Sequence, residues 1–174
     1  MLFRSTYAQE KKWINATLSF IGSFPGIGEA IRDGGLLANF LLKISKNEKY
    51  LKHVKTVLKH SNKIVSMINK GLKLFIENKG KIETFLIALS KSKDKRIQKY
   101  ITPYVNDILK SVDEVEKNFK EIDKKIKDSK EDPKEESEEN AEESDKEKLN
   151  ESLRVILKEQ RRLLAESTVR RPKK

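Results

Sequence analysis

Two histidines and no cysteine limit the chemistry open to this 174-residue chain. Without cysteine there is no disulfide, no thiolate nucleophile and no Cys-ligated zinc. His53 and His60 stand seven residues apart, on one helix face but roughly 10 Å apart along the axis. Two histidines sharing a zinc ion on one helix need i,i+4 spacing, so this pair reads as exposed on a charged face. Gly22 to Gly28 has the glycine density of a phosphate loop. Such a loop needs Gly-Lys-Ser/Thr after it and a strand before it; here Glu29 follows Gly28 and the approach reads as helix. Acidic pairs such as Asp113-Glu114 sit on a charged face, with no sign of a pocket to separate their pKa values. The expectation is a non-enzyme with no catalytic residue, cofactor, metal or small-molecule substrate.

The strongest signal is lysine. Lys+Arg number 38 against 27 Asp+Glu, a formal net charge of +11. Lys43, Lys46, Lys49, Lys52, Lys55, Lys59 and Lys63 recur every three or four residues, off the apolar stripe of the same segment. Such a face suits an acidic partner surface: a protein, anionic lipid heads or nucleic-acid phosphate. Nucleic-acid readers add arginine and exposed aromatics. Between 43 and 99 the only arginine is Arg96, so sequence-specific reading is not expected.

The elements that would position this face read as helices throughout, an all-α chain without a strand pattern of useful length. All seven glycines precede residue 81, five of them between Gly22 and Gly35. The second half therefore has few places for tight turns with positive φ, and long helices follow. Residues 1–44 read as two short apolar helices meeting at Pro25-Gly26, an apolar hairpin with a Gly/Pro corner. The phrase Phe24-Pro25-Gly26-Ile27-Gly28-Glu29-Ala30 is similar to the PG-x-GEA turn of pre-toxin segments in polymorphic bacterial toxins. That resemblance covers seven residues, and no residue role is carried over from it.

Residues 45–130 read as a basic helical bundle ending in a heptad helix. One a/d register runs from Leu37 to Phe75, with Asn47 and Ser61 as polar exceptions. Gly80 reads as a helix C-cap before a shorter apolar helix with Ile82, Phe85, Leu86 and Leu89. Thr102-Pro103 reads as a capped helix start. Ile108, Val112, Val115, Phe119, Ile122 and Ile126 then form a narrow seam of coiled-coil character. Residues 131–147 carry a net charge of −8 and read as an acidic linker. A Ser144/Glu147 capping box opens the amphipathic helix of 148–174, with Leu149, Leu153, Ile156 and Leu163 on its apolar face. A basic tail, Arg170–Lys174, follows.

The expected function is a non-catalytic helical scaffold or assembly protein. It would bind partners, or copies of itself, through the apolar seams and the basic face of an elongated bundle. A second reading makes it a peripheral membrane binder or toxin-like inserter, with Trp13, Phe20, Phe24, Leu37 and Phe40 entering the bilayer. A third makes it a non-specific nucleic-acid binder. An intracellular location, at a membrane surface in the second reading, is favoured. The −8 segment could fold back onto the basic surface and compete with an outside polyanion. Deleting 131–147 should then tighten polyanion binding at low salt; unchanged affinity in a titration against heparin would remove the idea.

Overall fold

The computed structural model describes residues 3–131 and 141–169. The chain is all-α: seven helices and no strand occur among the described residues. They are α1 (Phe3–Gly22), α2 (Gly28–Ser45), α3 (Glu48–His60), α4 (Asn62–Ser90), α5 (Lys95–Tyr100), α6 (Val105–Lys130) and α7 (Ala141–Val169), with a 3-10 turn at Thr102–Tyr104. Two compact units divide the chain: Met1–Phe40 with Ser66–Asp123, and Leu41–Val65 with Lys124–Lys174. The divisions fall inside α2, α4 and α6. Among the described residues no helix is long and apolar enough to cross a membrane.

In the first unit the Gly/Pro corner lies where the spacing predicts it, although the flanking helices run to 20 and 18 residues. Pro25 cannot continue α1, and Gly26 turns the chain with φ 81, a conformation that suits a residue without Cβ. Carbonyls at the end of α1 stay bonded: Ser23 and Phe24 N–H donate to Phe20 and Ile21 at 3.1 and 3.0 Å. Helix α2 then passes α4 with backbone against backbone. A Cβ on Gly71 would meet the Ala30 carbonyl oxygen at 2.8 Å, and one on Gly34 would meet that of Met67 at the same distance. One turn further along the same face of α4, Phe75 packs on Phe119 of α6 with ring centroids 5.7 Å apart. The Lys79 ammonium sits half-buried between Asp113 at 2.7 Å and Glu116 at 2.5 Å, tying α4 to α6. Their hydrogen bonds, that of Asp113 first, hold its pKa well above the ordinary lysine value.

Several expected boundaries move. Gly80 is not a C-cap; α4 runs through it to Ser90. Ile82 and Leu86 are fully buried and extend the stripe of Ile68 and Phe75, and that burial outweighs the ~1 kcal/mol a helical glycine costs. The Thr102 hydroxyl donates to the Ile97 carbonyl at 3.3 Å, closing α5 rather than capping α6. Pro103 still opens the next turn, as expected at a helix start.

In the second unit the single register of 37–75 is cut twice, at its two polar exceptions. Asn47 caps α3 by accepting from the Lys49 N–H at 3.0 Å. The Ser61 N–H ends α3 on the Val57 carbonyl at 2.9 Å, while the Ser61 carbonyl begins α4 on the Val65 N–H. Asn and Ser compete for backbone groups and so favour ends over interiors. Helix α7 starts at Ala141, so Ser144 lies inside it instead of capping it, and residues 141–147 of the acidic segment are helical. Residues 132–140 of that segment and the tail Arg170–Lys174 lie outside the described residues.

Two glycine substitutions in α4 should have opposite signs. Gly80→Ala meets nothing within 4 Å and should raise stability by about 1 kcal/mol, whereas a C-cap glycine would lose stability. Gly71→Ala must push the Ala30 carbonyl away and should lose about 1–3 kcal/mol despite its better helix propensity. Urea unfolding of the two variants against the parent checks both signs.

Candidate binding surfaces

The seven lysines predicted as a basic face are all exposed. Lys43 is in the last turn of α2, Lys46 in the turn after it, Lys49, Lys52, Lys55 and Lys59 on α3, and Lys63 in the first turn of α4. At 100° per residue the four on α3 fall within about a third of the circumference, opposite buried Val54 and Leu58. None of the seven makes an ion pair with a described residue, although, after Arg162, the charge of Lys49 helps to lower the pKa of Glu159 on α7. Lys49 lies 5.6 Å from the centre of the Tyr50 ring. The face carries no exposed apolar side chain: its other members are Asn47, Glu48 and Asn62.

A third face of α3 packs on α7, and polar pairs set the register. The Tyr50 hydroxyl donates to Glu159 Oε2 at 2.8 Å, His53 Nδ1 meets Ser152 Oγ at 3.2 Å, and His60 Nδ1 lies 3.6 Å from Asp145 Oδ2. The numbers rise on one helix as they fall on the other, so the pair is antiparallel. Glu159, only 6% exposed, is gripped by Arg162 through two bonds of 2.8 and 2.6 Å. Arg162, then the Tyr50 hydroxyl, outweigh burial and hold the Glu159 carboxyl below the usual range, while Glu159 raises the phenol of Tyr50. Both histidines thus sit at this helix contact, half-buried, rather than on an open charged face. The sequence carried a usable signal for the contact. The steps of 3 and 4 through Leu149, Ile156 and Leu163 pass through Ser152 and Glu159, and both are buried.

The predicted association seam divides between the units. Val112, Val115, Phe119 and Ile122 are buried in the first, and Ile108 is half-buried there. Val115 and Phe119 close on Ile14, Leu18, Gly35 and Ala38. Ile126 and Ile156 are buried in the second, with Leu149, Leu153 and Leu163 half-buried. This chain's own helices therefore use the seam. The predicted membrane residues are all half-buried. Trp13 lies on the Tyr104 ring at 5.6 Å, Phe20 and Phe24 gather on Phe85, and Leu37 and Phe40 lie on α2. Among the described residues no group of three or more His, Asp or Glu is placed to hold a metal ion.

No protein-family model, curated protein or solved structure matches this chain.

The low pKa of Glu159 has a sign in acid. Its contribution is complete above the unfolded carboxylate value and fades as pH falls through the lower folded one. Replacing it by Gln keeps an acceptor for Tyr50 but removes the charge that Arg162 holds. Glu159→Gln should therefore lower the thermal midpoint at neutral pH. The gap to the parent should narrow between about pH 5 and pH 3. Circular dichroism melts across that range check both; a constant gap would mean that the carboxylate charge is not what stabilises the contact.

Proposed function

We propose that this protein is a non-catalytic helical docking module that binds an acidic protein surface through Lys43, Lys46, Lys49, Lys52, Lys55, Lys59 and Lys63. The observation that carries the reading is that all seven are exposed and none is in an ion pair with a described residue, Lys49 acting on Glu159 only at longer range, while the opposite side of α3 is core. Leaving so many like charges together costs helix stability: lysines at i,i+3 or i,i+4 repel by a few tenths of a kcal/mol per pair. A partner that neutralises them recovers that cost. The apolar seam residues are buried or half-buried among this chain's own helices, so the reading rests on the lysine face alone.

The chemistry of the face favours a carboxylate-rich protein over the other polyanions. It has no arginine for bidentate contacts with base edges or phosphate and no aromatic side chain, since Tyr50 lies on the α7 side of the helix and hands its hydroxyl to Glu159. A bilayer would find no apolar side chain there to insert.

Fluorescence anisotropy with labelled poly-glutamate as the probe tests the reading. The parent should bind with affinity that falls as salt is added. The triple change Lys49→Glu, Lys52→Glu and Lys55→Glu should weaken binding at least about tenfold, roughly 1.4 kcal/mol, with unchanged helicity. Equal binding by the triple variant overturns the assignment. So does duplex DNA that outcompetes poly-glutamate at the same charge concentration.

A further inference from the structure

The first unit carries an aromatic surface that its own helices leave open. The rings of Phe20 and Phe24 stand 5.8 Å apart and both reach Phe85 on α4, at 6.2 and 5.3 Å. A three-ring cluster of this kind normally closes a core, yet Phe85 keeps 44% of its surface exposed. Beside it runs a shallow groove of about 440 Å³, lined by Gly80, Lys81, Thr84, Phe85 and Ala88. Its one hydroxyl, on Thr84, donates to the Gly80 carbonyl at 2.7 Å. Phe24 belongs to the corner between α1 and α2, where Pro25 and Gly26 are exposed. No charged residue occurs from Trp13 to Gly28.

The charge on the stretch of chain that begins at the groove is one-sided. Residues 81–99 hold six cations, Lys81, Lys91, Lys93, Lys95, Arg96 and Lys99, against Glu83 and Asp94. Both acids are engaged within the fold. Glu83 lies 3.5 Å from Lys79, and Asp94 caps α5 by accepting from the Arg96 N–H at 2.7 Å. None of the six cations makes an ion pair with a described residue.

We infer that this surface, the Phe24 corner with Phe85 and Lys81, docks at the interface of an anionic lipid bilayer, with the cations that follow along α4 and α5 adding to the attraction. A protein partner is oriented by hydrogen bonds across the contact, about one per 100–200 Å². Apart from the Lys81 ammonium, on a flexible stem that fixes no orientation, the groove has no free polar group of that kind. The boundary between headgroups and acyl chains asks only for apolar side chains to enter and cations to meet lipid phosphates and carboxylates. Tyr100, 64% exposed with Lys99 5.0 Å from its ring centre, supplies the amphipathic aromatic that settles at headgroup level. With no crossing helix among the described residues, the protein rests on the bilayer through this surface. The inference is independent of the lysine face on α3.

Co-flotation of the full chain with vesicles of phosphatidylcholine, with and without phosphatidylserine, tests it. The parent should float with the phosphatidylserine vesicles and remain behind with phosphatidylcholine alone. Phe85→Ser should lower flotation about tenfold or more. Ala88→Glu, at an exposed position on the groove wall, should do the same and covers the case in which the first variant fails to fold. The triple α3 variant, Lys49→Glu, Lys52→Glu and Lys55→Glu, should float like the parent. A parent that stays behind, or folded Phe85→Ser and Ala88→Glu proteins that float unchanged, overturns the inference. Loss of flotation in the α3 variant alone would overturn it too, by assigning lipid binding to the other surface.

Discussion

Among the first 105 residues 20 cations face only seven acids, so acids used within the fold leave little to neutralise the other cations. The six acids of this stretch whose side chains are described all have a place in the fold. Glu29 and Glu48 stand in the first turns of α2 and α3, where a negative charge meets the positive end of the helix dipole. Asp94 caps α5, Asp33 meets Arg32 at 2.9 Å, Glu77 lies 4.0 Å from Lys73, and Glu83 joins the group on Lys79. The exposed lysines of α3 and of the α4 end are what this distribution leaves over. The two proposed surfaces follow from where the acids were needed, not from a local excess of lysine alone.

The ties between helices obey the same economy. Lys79 draws Asp113 and Glu116 of α6 to α4, and Lys120 closes on Glu116 from the same helix. The first of these is half-buried, where screening is weaker than at the open surface. Apolar contacts do the remaining work, with Phe75 on Phe119 and the close pass at Gly34 and Gly71. A bulkier residue at that crossing would hold α2 off α4, and the stripes of both helices would lose contacts that small residues permit.

Helix content was legible in the residues, and so was the stripe of α6, because steps of 3 and 4 through Val105, Ile108, Val112, Val115, Phe119 and Ile122 admit only one face. The cuts at Asn47 and Ser61 were visible as polar interruptions. Their meaning was hidden, since a polar residue in a heptad can equally be a tolerated interior position. Gly80 misled for the opposite reason: its local preference for a helix end yielded to the burial of Ile82 and Leu86, a tertiary effect. The Tyr50–Glu159 pair joins positions 109 residues apart, and no local pattern could choose that partner among so many acids. The exposure of the seven lysines needs no partner to foresee, because a run of charge without counter-charge cannot be buried.

The lysine face and the α3–α7 contact are mechanically linked. At 13 residues α3 is too short to be stable alone in water, and its lysines at i,i+3 and i,i+4 repel. Its core side, Val54 and Leu58, and its polar register with α7 must therefore hold the helical form on which the lysine spacing depends. Loosening Tyr50 from Glu159 would spread the charges without removing any of them. Binding to an acidic partner would then weaken through lost preorganisation, since the partner would have to supply the ordering that α7 now provides. The argument runs equally in reverse. A partner that neutralises the lysines removes the repulsion within α3, and so tightens its grip on α7 by the same free energy.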